Sequence, residues 1–241
     1  MKKLFYFLGA SALFSMTVAC SQKQEATTTE EPAATETTAA ENSDEGWLTL
    51  FDGETIDESK WIKRGGIAEY HVEDDAIVGT TQLGTPNTFL TTAEEYKDFV
   101  LELELMVEDT NMNSGVQIRS KVDNEDEKHP NGKVYGYQIE IDPSARAFSG
   151  GLYEEKGRGW LHRLEGDDFA DARAAFKVGE WNKYRVESQG QTVKTWVNGV
   201  PATSFTDTVD VGSGFIGLQV HSTREEEPMQ VRWRNIRIKP M

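Results

Sequence analysis

The chain has 241 residues, is 37% hydrophobic and 10% aromatic, and carries a formal net charge of -16. That charge argues against nucleic acid or an anionic lipid surface as a partner and leaves a neutral ligand open. A single cysteine excludes an intrachain disulfide and a cysteine-rich metal site.

Lys2 and Lys3 precede the apolar run LFYFLGASALFSMTVA, which ends at Ala19. This is the anatomy of a secretory signal over residues 1–19. Cys20 follows the small residue directly and resembles the lipidation site of a bacterial lipoprotein, with Thr17 where Leu is usual. The expectation is an acylated Cys20 as the only link to a membrane, placing the protein in the cell envelope, at the outer membrane facing the periplasm. Residues 21–45 are mostly Thr, Ala and Glu with no aromatic and no large aliphatic side chain, the composition of a flexible linker. Residues 46–241 remain for one domain, with no internal repeat.

Within that domain the dominant period is two. Strands are expected at 48–51, 69–73 and 76–80, with Asp52-Gly53 as a turn. FVLELELMV (99–107) puts Phe99, Leu101, Leu103, Leu105 and Val107 on one face and Glu102 and Glu104 on the other. SGVQIRS (114–120) sends Val116 and Ile118 inward and Gln117 and Arg119 outward. YGYQIEID (135–142), after the Asn131-Gly132 turn, buries Ile139 and Ile141 and aligns Gln138, Glu140 and Asp142. DDFADARAAF (167–176) is the one stretch of helical composition. Strands at 181–188 and 192–197 lead to the Asn198-Gly199 turn. GFIGLQVHS (214–222) presents Gln219 and His221 opposite Ile216, Leu218 and Val220, and 231–239 closes the set. Many strands without helical crossovers make an all-β fold, a two-sheet antiparallel sandwich. The five tryptophans Trp47, Trp61, Trp181, Trp196 and Trp233 stand in apolar strand patterns and read as core, leaving Trp160 as a loop platform.

Any single polar residue on such a face has a bland reading as wet surface. Amides, an Arg and a His together suit hydrogen bonding to a hydroxyl-rich ligand. WLTLFDGETIDESKW (47–61), NSG (113–115) with Gln117 and Arg119, YGYQIEID, GGLYE (150–154), GEWNKYRV (179–186), Asn198-Gly199, GFIGLQVHS and RNIRI (234–238) together resemble the 3-keto-disaccharide hydrolase family in its own order. The resemblance implies a concanavalin-like jelly roll. It also implies cleavage of a glycoside whose sugar is already a ketone at carbon 3, by proton removal at carbon 2 and elimination of the glycosidic oxygen. On that reading Glu140 or His221 is the base and Arg119 the enolate stabiliser. Asn113, Gln117, Gln138 and Gln219 are sugar ligands, with Asp142, Tyr153 and Trp160 completing substrate binding. No cofactor is required, although Asp142 with His221 or Glu140 could hold a divalent metal.

The same fold serves laminarinase-like glucanases, whose strand carries Glu-x-Asp and then a further Glu. Glu140 and Asp142 match the first two, but Ser144 and Ala145 stand where the third acid would fall, so the paired-carboxylate mechanism lacks its acid. A non-catalytic carbohydrate-binding lipoprotein is the remaining alternative. It would keep amides and aromatic platforms but would not need an ionisable base beside an Arg.

Overall fold

The computed structural model describes residues 45–129 and 131–241. The expected signal segment, Cys20 and nearly all of the linker lie outside the described residues. The described residues form fifteen strands. They are β1 Leu48–Thr49, β2 Trp61–Gly65, β3 Glu69–Glu73, β4 Ala76–Thr80, β5 Thr88–Thr92, β6 Phe99–Val107, β7 Ser114–Asp123 and β8 Lys133–Ile141. β9 Leu152–Glu155, β10 Gly159–His162, β11 Asn182–Gln189, β12 Thr192–Val197, β13 Val200–Thr206, β14 Phe215–Val220 and β15 Gln230–Pro240 complete them. The stretch expected to be helical forms a 3-10 turn at Asp167–Phe169 and α1 at Ala170–Ala175.

The strands pair antiparallel in two sheets. The first runs β13-β12-β11-β6-β15-β4-β3, with β1 added to β15, and the second runs β10-β9-β8-β7-β14-β5-β2. This is the expected sandwich. Its core joins Phe99, Leu101, Leu103 and Leu105 of β6, Ile139 and Ile141 of β8, Ile216 and Leu218 of β14, and Trp233 and Ile238 of β15. Burying such side chains contributes about 1.5–3 kcal/mol each, which is why the period-two pattern dictates which way every strand faces. The sequence reading missed β2, β5, β9, β10 and β13. β5 shows why: all five of its residues are buried, so it has no apolar/polar alternation to detect.

Of the five strand tryptophans, Trp61 and Trp233 are in the core. Trp47, Trp181 and Trp196 are not. They lie half-buried on the outer face of the first sheet, with the guanidinium groups of Arg237, Arg234 and Arg185 over their rings at 4.4, 4.0 and 5.9 Å. Glu102 and Glu104 face that same side. Glu102 pairs with Arg185 and Arg237, and Glu104 with Arg234, so neither acid belongs with the polar residues of β7, β8 and β14 on the other sheet.

An extra residue in β7 changes its phase. Against β8 the register jumps between Ile118 and Lys121, and against β14 it jumps between Gly217 and Phe215. Arg119 sits in this bulge with φ +47°, so Ser120 takes the outward place that strict alternation would give Arg119. The Arg119 side chain is carried to the end of the sandwich. There Nε donates to the Lys97 carbonyl (2.6 Å), Nη1 to the Gly190 carbonyl (2.7 Å) and Nη2 to Asp98 Oδ1 (2.9 Å).

The outer face of the second sheet is covered at one end. Phe89, Val134 and Phe215 form a separate apolar cluster there with Val122 packed on it. Asn131 bridges to Gly65 through the backbone and donates its side chain to the Gly66 carbonyl at 2.9 Å. The β7–β8 hairpin therefore bends over the sheet at this end, and the polar residues at the other end stay open.

Candidate functional site

At the open end, Gln138 of β8 is the hub of an amide network. Its Oε1 accepts from Gln117 Nε2 (2.6 Å) and Gln219 Nε2 (2.8 Å), and its Nε2 donates to Glu140 Oε2 (3.0 Å). Gln117 Oε1 in turn accepts from Ser120 Oγ at 2.6 Å. Room for the hub comes from Gly115 on β7, where a Cβ would lie 2.4 Å from Gln138 Cδ. Because Gln138 Oε1 takes two donors, its amide cannot flip without breaking both bonds, and its Nε2 is committed to Glu140.

Glu140 is the product of this arrangement. Only 5% of it is exposed, and its other oxygen accepts from Asn113 Nδ2 at 2.8 Å. Burial pushes its carboxyl above the usual carboxylate range and nearby Asp142 adds to the rise, while the two amide donors and Arg146 oppose it. The carboxylate forms part of the lining of a cleft of about 320 Å³ with Asn113 and Gln138. Tyr153, Glu155 and Trp160 line the β9–β10 side, and Arg146 and His221 the remaining walls. Trp160 is held edge-on by Phe148 at 5.5 Å and Tyr153 at 5.4 Å, a fixed aromatic wall.

The sequence-derived residues separate into three groups. Asn113, Gln138, Glu140, Tyr153, Trp160 and His221 share the cleft. Gln117 and Gln219 are fully buried beneath it, so they orient Gln138 and are not placed to hold a sugar directly. Asp142 and Arg119 are elsewhere. Asp142 Oδ1 accepts from Ser144 N (3.2 Å) and Ser144 Oγ (2.6 Å), and its backbone N–H donates to Ser149 Oγ. Its Oδ2 makes an ion pair with Arg146 Nε at 3.0 Å, out of line for a hydrogen bond. It therefore braces the loop after β8 and does not line the cleft. The metal pairing raised from the sequence does not fit this geometry, because Asp142 is committed to Ser144 and Arg146. Among the described residues no group of three His, Cys, Asp or Glu side chains is placed to share an ion.

The cation at the cleft is Arg146 in place of Arg119. Its side chain is 55% exposed, its Nε pairs with Asp142 and its guanidinium lies 5.9 Å from the centre of the Phe148 ring, which leaves both Nη groups able to face a ligand. The available signal was its place four residues after Asp142, just past the strand end. Glu155 was also missed. Its strand is four residues long, too short to show a period. Glu155 accepts from Asn87 Nδ2 at 3.3 Å, and Asn87 Oδ1 accepts from Ser222 N at 2.8 Å, tying the cleft rim to the loop after β14.

Two carboxylates in a cleft raise the question of paired-acid glycoside cleavage. Glu155 pairs with Gly136, and Glu140 N bonds Gly151 O, so the two acids are four positions apart along neighbouring strands. At about 3.4 Å per residue and 4.8 Å between strands their Cα atoms are about 14 Å apart. Side chains standing off one face at that spacing do not make the pair about 5 Å apart that a retaining enzyme uses. Ser144, where a glucanase would carry its further acid, gives its hydroxyl to Asp142.

His221 follows β14, and its Nδ1 is 2.7 Å from the Ser222 carbonyl. A carbonyl only accepts, so Nδ1 carries the proton and Nε2 is the nitrogen left for a ligand.

The family model described as the 3-keto-alpha-glucoside-1,2-lyase-like domain matches residues 46–239. The chain belongs to that family. Membership makes it a carbohydrate-active protein with a sugar as its ligand. No curated protein sequence matches the chain. Among solved structures, a candidate glycosyl hydrolase from Parabacteroides distasonis ATCC 8503 is similar at TM-score 0.55 and 19% identity, covering 82% of this chain and 94% of its own. A Bacillus subtilis protein of unknown function with a galectin-like fold reaches TM-score 0.53 at 15% identity over 74% and 88%. Bacillus licheniformis beta-glucanase reaches 0.51 at 11% over 81% and 97%. At these identities the likeness is one of fold, and it agrees with the jelly roll described above.

Proposed function

We propose that this cleft cleaves 3-keto-glycosides by elimination. The observation that carries the reading is Glu140: a nearly buried carboxyl, raised by that burial, facing an open cleft beside the half-free cation of Arg146. A ketone at carbon 3 makes the hydrogen on carbon 2 acidic, and a carboxylate with a raised pKa is a better base for it. Glu140 takes that proton. The electron pair moves into the carbon 2–carbon 3 bond and onto the ketone oxygen, where Arg146 stabilises the enolate. The enolate then expels the glycosidic oxygen from carbon 1, and that oxygen takes the Nε2 proton of a His221 imidazolium, which leaves the neutral ring with its remaining proton on Nδ1, held by the Ser222 carbonyl. The products are an unsaturated keto-sugar and the free leaving group. Water adding across the new double bond makes the net reaction a hydrolysis. Asn113 and Gln138 hold Glu140 in place, and Trp160 and Tyr153 offer the sugar ring an apolar wall.

We also propose that the domain works at the cell envelope, tethered through Cys20. The deciding experiment for the chemistry offers the protein a 3-keto-glucoside and its unoxidised parent and follows release of the leaving group. Release from the keto form alone is the expected result. Binding of both without release would make the domain a carbohydrate-binding module, and release from unoxidised β-glucan would restore a glucanase.

A further inference from the structure

The cleft does not end at His221. A second hollow of about 520 Å³ shares Asn113 and His221 with it and continues along Asn111 and the loop that follows β14, where Ser222, Thr223 and Arg224 line it. Two shared walls make one trough with different chemistry at its ends. The cleft end holds Glu140, Glu155, Arg146 and the aromatic rings. The far end has no aromatic side chain among the described residues; amide, hydroxyl and guanidinium groups line it together with the Glu225 carboxylate and the apolar Met112 and Met229. The side chains of Asn111, Ser222 and Arg224 make no hydrogen bond or ion pair within the described residues, so their donors are free for a ligand. The loop that presents them is fixed at both ends: Thr223 bridges to Leu83, and Met229 N donates to Thr81 Oγ1 at 2.9 Å.

We infer that the trough binds its substrate in one direction, with the oxidised ring at the Tyr153–Trp160 end and the leaving group in the second hollow, where Asn111 and Arg224 determine which leaving groups are accepted. The inference rests on the cleavage reading above. The junction residues support the direction. Glu140 and the enolate cation Arg146 belong to the cleft alone, so carbons 2 and 3 must be there. His221 belongs to both halves, with Nε2 free, and so stands where the bond to the leaving oxygen would cross. A leaving group that carries hydroxyls can use the free donors of Asn111 and Arg224, whereas a methyl group cannot. Binding energy gathered there, away from the reacting carbons, can be used in the transition state.

The test compares 3-keto-maltose, oxidised on its non-reducing ring, with methyl 3-keto-α-glucopyranoside, in the wild type and in Asn111→Ala/Arg224→Ala. Neither side chain has a partner to lose, so melting temperature should hold. Wild type should prefer the disaccharide in kcat/KM by roughly tenfold or more, the worth of one or two net hydrogen bonds. The double variant should bring the two substrates within about twofold. Equal use of both substrates by wild type, or a preference that survives the double substitution, overturns the inference. Titration with unoxidised maltose and methyl α-glucopyranoside separates it from the chemistry. If nothing is turned over, tighter binding of maltose that the double variant abolishes keeps the trough's direction and removes the reaction. Equal binding in both proteins removes the direction as well.

Discussion

Arg119→Met separates the two roles open to Arg119. The guanidinium makes three hydrogen bonds, two to carbonyls and one to Asp98, and is only 2% exposed. Charge-assisted bonds of this kind are worth about 1.5–3 kcal/mol each before resolvation. Part of that is recovered on substitution, because the Asp98 side chain is 35% exposed and Gly190 is at the surface, where water can replace the lost donor. Met also retains most of the buried aliphatic length. The net loss should be about 3 kcal/mol, and in a domain of this size that lowers the melting temperature by about 6–12 °C. Thermal unfolding followed by circular dichroism measures it, alongside turnover of a 3-keto-glycoside well below the transition. The catalytic constant per folded molecule should stay within about twofold. An unchanged melting temperature with a hundredfold loss of turnover would refute the reasoning and return Arg119 to the chemistry.

The other expectations concern the cleft and the anchor. Arg146→Met should leave the melting temperature within about 2 °C, since its side chain is largely exposed, and should lower kcat by roughly a hundredfold in steady-state assays. Glu140→Gln should abolish turnover yet fold, because the half-exposed Asn113 amide can turn to offer its oxygen to the new donor while Gln138 stays fixed. The same pair of proteins reports the pKa of Glu140. Its folded value is raised above the ordinary 4.5, so the stability it lends is complete below about pH 4.5 and is lost as pH climbs through the folded value. Denaturant titrations should show the wild type losing ground to Glu140→Gln between pH 4 and 8, and the acid limb of kcat/KM should lie above 4.5. A flat difference would deny the shift. Cys20→Ser in the full chain should move the protein from the membrane to the soluble fraction with unchanged activity, and persistence with membranes would dismiss lipidation as the anchor.

Local order was legible because strand alternation and turn chemistry are local properties. FVLELELMV, YGYQIEID and GFIGLQVHS declare which side chains enter a core, and any fold that buries leucine and isoleucine must honour that. The two-sheet sandwich, the family, and Gln138 and Glu140 as neighbours on one polar strand face follow from sequence alone. Pairing between distant strands does not. β6 joins β15 and β11 in one sheet while β7 joins β8 and β14 in the other, which sends Glu102 and Glu104 to the far side of the molecule from Glu140. One extra residue in β7 shifts its phase and moves Arg119 out of the cleft, a change that alternation cannot foresee because it assumes an unbroken period. Depth is also tertiary. Gln117 and Gln219 alternate like cleft residues, but neighbouring strands and the curled hairpin bury them, so they position Gln138 and do not meet solvent. Arg146 and Glu155 sit on a loop and a four-residue strand with no period to read. Only the meeting of the β8–β9 segment with the end of β14 brings them to the same cleft as Glu140 and His221.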